Sequence, residues 1–375
     1  MNSNTEIIFV AVFIFLLSFF VVPNRLFAQS SYYLVKGKVV DKSTQAPLAG
    51  ASVFAQNTTI GEATDSSGNF SIWLPKGGYS LVTTFTGYET QTIRVNGSSE
   101  NDSLFFELEP EIKSLEAVTI SISNEVKDGW EKYGTFFINN FIGQSSFSKL
   151  CFIKNPEVLH FYFNKKNNSL KVLAKDPLII DNFALGYTLK FAIDSFTNNY
   201  NSGINRFIGY PLFTEMKGTP DQQKMWEANR AIAYKGSLLQ FMRSLYSATL
   251  EENGFEVQFI VNNNGEDYPI RLGNVYGALN YNKDDSTKTV EFYPNQSEVA
   301  LIYKKAHPEK NYTDIDTSAQ KNFQLSTFIF PKGERFYVEE NGYYYDQEDL
   351  VTNGYLGFKK IGDMLPYDYN REEEQ

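Results

Sequence analysis

Two groups of side chains in the second half of the chain have the chemistry to bind a ligand. Arg230 and Arg243 lie in a predicted pair of helices, and two guanidinium groups could hold a carboxylate or a phosphate by paired hydrogen bonds. Asn229 precedes Arg230 and lies with both arginines on a predicted polar face. The plainer alternative is that the arginines form internal ion pairs between the helices and a sheet. Arg230, Arg243 and Asn229 are therefore candidate binding residues.

The second group follows a run of three tyrosines. Tyr343 to Tyr345 precede Asp346, and two more acidic residues follow within three positions. Aromatic rings beside carboxylate acceptors suit the apolar faces and the hydroxyl groups of sugars. Tyr343, Tyr344 and Asp346 are accordingly candidate glycan-binding residues. The alternative is a tyrosine-rich strand end followed by an acidic turn.

The residues that a zinc hydrolase needs are too few. The chain has two histidines, His160 and His307, and the residues three positions later are Phe163 and Lys310 instead of a glutamate. No Gly-x-Ser-x-Gly sequence marks a nucleophilic serine, although a serine triad stays possible by residue count. The sequence therefore predicts no catalytic residue, no metal ligand and no cofactor site.

Single residues of chemical interest have simpler explanations. Cys151, the single cysteine, lies between Leu150 and Phe152 and is predicted to be a small buried apolar residue. His160 lies in an aromatic strand and is predicted to pack there. The net charge is −10 and neither half of the chain is basic, which argues against a nucleic-acid partner.

The N-terminal residues predict export. Ile7 to Val22 is an apolar run interrupted only by Ser18, which is short for a membrane-spanning helix and suits a signal peptide over 1–28, cleaved after Ala28. No lysine or arginine precedes the run, so an uncleaved anchor is the alternative. Membrane contact is expected only through this segment.

Residues 32–109 predict a small antiparallel β-sandwich. Short runs that alternate apolar and polar residues are separated by turns rich in Gly, Pro, Asp and Asn. In one such run Phe70, Ile72 and Leu74 alternate with Ser71 and Trp73, and Asp65 to Gly68 supplies the preceding turn.

The motifs of this segment resemble the carboxypeptidase-like regulatory domain, a transthyretin-like sandwich common in gram-negative cell-envelope proteins. The motifs that carry the resemblance are Gly37-Lys-Val-Val-Asp41, Pro47-Leu-Ala-Gly-Ala-Ser-Val53, Thr64-Asp-Ser-Ser-Gly-Asn-Phe70 and Phe85-Thr-Gly-Tyr88. The resemblance implies a module for packing or partner contact in the envelope. A connector over 110–123 follows it.

The remainder, 124–375, predicts a mixed, mostly β domain. Apolar residues at steps of three and four predict a helix over 124–142, and a helical pair is predicted over 221–253 between two β regions. Residues 198–209 are predicted to be turn-rich. Segments such as Trp226-Glu-Ala-Asn-Arg230 resemble the C-terminal part of envelope proteins that begin with the same sandwich, which implies a location and no mechanism. The fold class is therefore α+β.

These observations predict an exported protein of the gram-negative envelope, in the periplasm or associated with the outer membrane. Its sandwich would serve packing or contact with a partner, which would be an envelope or outer-membrane protein or a surface glycan, and no catalysis is expected. Two alternatives remain open: a hydrolase of surface glycan or peptide with its site in 124–375, and a glycan-binding module.

Overall fold

Seven strands form the N-terminal part of the computed structural model as two facing sheets. The structure describes residues 32–75, 77–96, 103–111, 124–313, 322–330, 334–345, 347 and 350–370. The predicted signal peptide, most of the predicted connector and the candidate Asp346 lie outside these ranges. The strands are β1 (Tyr32–Asp41), β2 (Ser52–Ala55), β3 (Gly61–Ala63), β4 (Asn69–Pro75), β5 (Gly78–Thr84), β6 (Gln91–Asn96) and β7 (Leu104–Leu108).

The two sheets have the strand orders β4-β1-β7 and β3-β2-β5-β6. Alternation determines which side chains enter the core between them: Phe70, Ile72 and Leu74 of β4 are buried, whereas Trp73 points outward. One pair departs from the antiparallel prediction, because β1 and β7 run parallel. The chain passes through the other sheet between these two strands, so β7 joins β1 without the hairpin that an antiparallel pair would use.

Two aspartates fix the turns of the sandwich. Asp41 accepts hydrogen bonds from the backbone amides of Ser43 and Thr44, each at 2.8 Å, and from the Tyr88 hydroxyl at 2.7 Å. Hydrogen bonds from Ser43 and then Tyr88 hold the pKa of Asp41 well below its usual value. Asp65 accepts from the amides of Ser67 and Asn69 at 2.8 Å in the next turn. The aspartates of the sequence motifs therefore act as turn acceptors.

A six-stranded sheet with one helix against it follows the sandwich. Its elements are α1 (Gly129–Phe141), β8 (Cys151–Ile153), β9 (Leu159–Asn164), β10 (Ser169–Ala174), β11 (Leu178–Asn182), β12 (Tyr187–Asn199) and β13 (Ile204–Glu215). The strand order is β8-β11-β12-β10-β9, and β13 pairs with the other edge of β12. The short 3₁₀ turns Ser148–Leu150 and Pro156–Val158 flank β8.

Two boundaries in this part differ from the sequence prediction. Helix α1 begins at Gly129 instead of residue 124, because Glu125 pairs with Tyr162 and the Val126 amide donates to the Phe161 carbonyl at 2.8 Å, which holds the chain extended. The predicted turn-rich segment 198–209 belongs mostly to the β12–β13 hairpin. Its turn is confined to the few residues between the two strands.

The helical pair is α2 (Pro220–Tyr234) and α3 (Leu238–Tyr246). Thr219 and Gln222 form a capping box on α2, and Ser237 caps α3 by accepting from the Gln240 amide at 3.1 Å. Helix α3 ends at Tyr246 and does not reach residue 253 as predicted, because Ala248 adopts φ of +54° and the chain then turns toward β14.

The last part contains two further sheets of orders β15-β14-β18-β19-β21 and β16-β17-β20. The elements are β14 (Phe255–Asn263), β15 (Glu266–Arg271), α4 (Val275–Ala278), β16 (Asn282–Asp284), β17 (Thr289–Phe292), β18 (Glu298–Tyr303), β19 (Gln324–Ile329), β20 (Phe336–Glu339), β21 (Val351–Gly354), α5 (Tyr355–Lys359) and a 3₁₀ turn at Lys360–Asp363. The described chain is thus mostly β, in several largely antiparallel sheets, as the α+β prediction requires in outline.

Each of the three parts has its own apolar cluster. One lies between the sheets of the sandwich, one joins the six-stranded sheet to α1, and one joins α3 to the two last sheets. Residues Tyr33–Gln375 nevertheless form a single unit by their contacts. Among the described residues, the helices are too short or too polar to cross a bilayer.

Candidate functional site

The sandwich meets the rest of the chain at a cluster of charged and aromatic side chains. We call Gly78, Arg94, Glu339, Tyr343 and Tyr345 the junction. Arg94 lies on β6 of the sandwich and forms an ion pair with Glu339 at the end of β20. Its guanidinium carbon lies 3.9 Å from the centre of the Tyr343 ring and 5.1 Å from that of Tyr345. A cation over aromatic rings and beside a carboxylate is stabilised by both.

Glu339 is the acceptor at the centre of the junction. Its side chain is 7% exposed, and it accepts from the Gly78 amide and the Tyr345 hydroxyl, each at 2.7 Å, as well as from Arg94. Burying a carboxylate is costly unless such partners surround it. Gly78 has to be a glycine at this contact, because a Cβ atom there would overlap the Glu339 carboxylate. The buried charge therefore depends on groups from both sides of the junction.

Tyrosine hydroxyls complete the surroundings of the ion pair. Burial raises the pKa of Tyr79 to about 12, and burial together with the hydrogen bond to Glu339 raises that of Tyr345 to about 12. These phenols are neutral at physiological pH. The Tyr343 hydroxyl lies 3.2 Å from the Ser80 hydroxyl on β5, so Tyr343 contacts the sandwich with its ring and with its oxygen.

A second contact joins the two parts of the chain through the turn after β2. The Asn57 amide donates to the Pro211 carbonyl at 2.7 Å, and the Asn57 carbonyl accepts from the Tyr367 amide at 2.6 Å. Thr59 donates to the Asp368 carboxylate from its amide and its hydroxyl. Backbone hydrogen bonds of this kind fix the sandwich against both β13 and the C-terminal residues.

Arg230 and Asn229 contact the six-stranded sheet. The Arg230 Nε donates to the Leu185 carbonyl at 2.8 Å, and its Nη1 lies 3.0 Å from the Glu215 carboxylate. Its guanidinium carbon lies 4.0 Å from the centre of the Tyr187 ring. The Asn229 amide donates to the Ala184 carbonyl at 2.8 Å. These contacts are internal and attach α2 to the sheet, and ligand binding by either residue stays a prediction.

Arg243 has a different set of partners. Its Nε donates to the Asn341 carbonyl at 3.1 Å, and its Nη2 donates to the carbonyls of Tyr367 and Tyr369, both at 3.0 Å. Arg243 thus attaches the C-terminal residues to α3. Through these hydrogen bonds the two arginines contact separate segments of the chain.

The predicted tyrosine cluster divides between two surroundings. Tyr343 and Tyr345 belong to the junction, whereas Tyr344 forms a bridge with Val338 and packs against the cluster around α3. Burial raises the pKa of Tyr344. Among the residues that the structure describes, the tyrosines of this run therefore face neighbouring protein, and their binding of a glycan stays a prediction.

The sequence alone does not mark Arg94 or Glu339 as residues of a site. They are 245 positions apart and neither belongs to a motif, so no local pattern marks them. The one signal in the sequence is the run of tyrosines from Tyr343 to Tyr345, which follows Glu339. This run indicates aromatic contact but not the residue that is contacted.

His160 and Cys151 have ordinary surroundings. The His160 Nδ1 lies 2.8 Å from the Glu125 carboxylate. The Cys151 thiol is partly buried near the Phe147 carbonyl, and burial raises its pKa to about 12, so little reactive thiolate forms at neutral pH. Within the described ranges, three or more His, Cys, Asp or Glu residues nowhere come together as metal ligands would.

The solved structures that resemble parts of this chain include three distant ones. A type II cohesin–X-dockerin complex of Acetivibrio cellulolyticus has a chain 31% identical over 20% of this chain and 51% of its own, with a TM-score of 0.15. A DUF3823 family protein from Parabacteroides merdae is 11% identical over 52% and 86%, with a TM-score of 0.17.

A Bacteroides fragilis protein, described as membrane-associated and of unknown function, is 12% identical over 86% of this chain and 95% of its own, with a TM-score of 0.17. These TM-scores are too low to assign a shared fold. The present chain spans about half the length of the cohesin-complex chain that it matches. A comparison with curated proteins gave no significant match.

The N-terminal part has a clear relative among protein families. The motifs that carry the resemblance in the sequence form strands of the two facing sheets and the turns at Asp41 and Asp65. Residues 35–120 match the family model of the CarboxypepD_reg-like domain, so this part of the chain is a carboxypeptidase-regulatory-like β-sandwich.

Proposed function

We propose that the protein is an exported, non-catalytic component of a gram-negative envelope, in which the sandwich is a packing module for residues 124–375. The assembled molecule would contact an envelope protein or a surface glycan. The observation that carries the proposal is the junction, where Arg94 of the sandwich is enclosed by Glu339 and Tyr343 of the other part. A buried ion pair between two parts of a chain fixes their orientation, which suits a rigid structural element.

The use of the charged residues supports a structural role. Arg94, Arg230 and Arg243 all donate to carboxylates or carbonyls of the same chain. The buried Glu339 likewise receives its hydrogen bonds from within the chain. Side chains that would otherwise be candidates for substrate contact thus hold elements together.

Two features support export to the periplasm or the outer-membrane surface. The apolar run Ile7–Val22 followed by Ala28 has the character of a cleaved signal peptide. The carboxypeptidase-regulatory-like sandwich comes directly after it, and sandwiches of this kind are common in envelope proteins. The net charge of −10 disfavours nucleic acid as a partner.

Fractionation of a gram-negative host that produces the full chain tests the location. We expect the chain in the envelope fraction with Gln29 as its first residue, determined by mass spectrometry of the intact protein. The matched control is Leu16→Lys, which places a charge in the apolar run and should retain the protein in the cytosol. An intact wild-type chain in the cytosol would overturn the proposal.

Photo-crosslinking in the same cells tests for a partner. Trp73 is 58% exposed on the outer side of β4, and Tyr268 is 47% exposed on β15, far along the chain. A photoreactive phenylalanine at each position should give an adduct with an envelope protein at one of the two and not at the other. Cells in which neither position gives an adduct would argue against a protein partner.

A further inference from the structure

An open groove lies on the last part of the chain, away from the sandwich. It has a volume of about 520 Å³ and is widely open to solvent. It lies between α4, β16, β17 and the residue that precedes β20. The side chains that matter for its chemistry are Tyr276, Tyr281, Tyr293, Asn282, Glu291 and Arg335.

Two of the three tyrosines are fixed by hydrogen bonds to the α3 region. The Tyr281 hydroxyl donates to the Tyr246 carbonyl at 3.0 Å, and the Tyr276 hydroxyl accepts from the Leu250 amide at 3.0 Å. Their rings are 5.2 Å apart and nearly perpendicular, at 71°. The rings of Tyr276 and Tyr281 are therefore held in place before a ligand binds, which lowers the entropy cost of binding.

The charges of the groove balance. Glu291 and Arg335 are the charged residues that line it among the described residues, and they form an ion pair with each other. The Arg335 guanidinium carbon also lies 5.2 Å from the centre of the Tyr293 ring. A lining of net charge zero with one donor group and one acceptor group favours a neutral, hydroxyl-rich ligand over an anion.

Two polar groups at the groove remain available to a ligand. The Asn282 carboxamide is exposed, and neither it nor the Tyr293 hydroxyl has a hydrogen-bond partner among the described residues. In contrast, the Asn280 amide donates to the Tyr293 carbonyl at 2.9 Å and is already used. Asn282 offers both a donor and an acceptor, as a pair of neighbouring sugar hydroxyls requires.

We infer that this groove binds a short neutral oligosaccharide. The apolar face of a pyranose ring packs on the tyrosines, while its hydroxyls exchange hydrogen bonds with Asn282 and with the Glu291–Arg335 pair. No bond of the ligand is made or broken.

The groove lies apart from the junction. β17 pairs with β20 so that Thr289 is opposite Glu339 and Phe292 is opposite Phe336. Three residues of strand span about 10 Å, so the groove occupies the end of these strands remote from the sandwich. Failure of sugar binding would therefore leave the packing role of the sandwich untouched, and the two proposals can be tested separately.

Isothermal titration of the chain without residues 1–28 tests the inference. The probes are hexasaccharides of glucose, mannose and galactose, a tetrasaccharide of N-acetylglucosamine, and an oligogalacturonate as the anionic comparison. We expect at least one neutral probe to bind. Tyr293→Ala and Asn282→Ala should each weaken that binding by about tenfold or more, which corresponds to about 1.4 kcal/mol.

The matched control is Tyr268→Ala, which removes an exposed tyrosine from β15 outside the groove and should leave the affinity unchanged. Unfolding midpoints equal to that of the wild type show that the groove variants fold. The inference is overturned if no neutral probe binds at millimolar concentration, if the oligogalacturonate binds more tightly than all neutral probes, or if both groove variants bind as the wild type does.

Discussion

Arg94 and Tyr343 lie on different parts of the chain, yet the guanidinium carbon of Arg94 is 3.9 Å from the centre of the Tyr343 ring. Glu339 accepts from the same guanidinium group and from the Gly78 amide. The sandwich is thus joined to the rest of the protein by a buried charge that neither part could satisfy alone.

Replacing Arg94 by methionine should lower the free energy of unfolding by about 3 kcal/mol, because Glu339 would then be a buried carboxylate without its cation. Urea denaturation gives the value. Arg271→Met is the control: Arg271 is 73% exposed, lies 3.6 Å from Glu256, and should cost less than about 1 kcal/mol. Equal costs for the two variants would contradict a buried role for Arg94.

Gly186 permits the docking of α2 on the sheet. It adopts φ of +70°, and a Cβ atom there would overlap the Trp226 ring, so Gly186→Ala should destabilise the protein by both strain and overlap. Gly265→Ala separates the two effects, because Gly265 has φ of +89° with open space around it. We expect Gly265→Ala to lower the free energy of unfolding by about 1–2 kcal/mol and Gly186→Ala to lower it clearly more, measured by thermal unfolding. A cost at Gly186 no larger than at Gly265 would show that Trp226 does not pack there.

Arg243 should protect the C-terminal residues from hydrogen exchange. Its guanidinium donates to the carbonyls of Tyr367 and Tyr369, so Arg243→Met should speed exchange at the amides around them. Exchange measured by mass spectrometry should change in 365–370 and stay the same in the β14–β15 hairpin. Unchanged exchange in 365–370 would show that the hydrogen bonds of Arg243 do not hold these residues in place.

Asp363 should make stability fall between pH 4 and pH 6. Burial raises the pKa of its carboxyl to about 6, although Lys359 and the Ser145 hydroxyl oppose the rise. The folded protein therefore keeps a proton that the unfolded chain releases near pH 4, and the free energy of unfolding declines as the pH rises to 6. The decline ends about one pH unit above the pKa of the folded protein, where the carboxyl is ionised in both states.

Asp363→Asn removes this titration. The stability of the variant relative to the wild type should therefore increase by roughly 2 kcal/mol from pH 4.5 to pH 6.5, measured by urea denaturation at each pH. A difference between the two proteins that does not change with pH would show that Asp363 titrates normally.

Local sequence patterns are sufficient to predict the sandwich and the centres of most helices and strands. The alternation of Phe70, Ile72 and Leu74 identified a core-facing strand, and the residues before Gln222 and Gln240 identified two helix starts. These features depend on neighbours within a few positions, which is the range over which sequence patterns carry information.

Distant contacts account for two of the differences from the sequence prediction, and a local turn accounts for a third. Helix α1 begins later than predicted because Glu125 pairs with Tyr162. The Arg94–Glu339 pair has no local signal because its members are brought together only by the packed fold. Helix α3 ends earlier than predicted because the chain turns at Ala248. Tyr343 was selected for its aromatic neighbours, and the structure places it on a partner within the chain.

A double-mutant cycle on Arg94 and Glu339 tests the central claim most directly. The free energies of unfolding of Arg94→Met, Glu339→Gln and the double variant, compared with the wild type, give the energy of coupling between the two side chains. The account predicts a coupling of about 1–3 kcal/mol, because either single change leaves the other group buried without its partner. If the stability losses of the two single variants sum to that of the double variant within about 0.5 kcal/mol, the sandwich is not held to the rest of the chain through this pair.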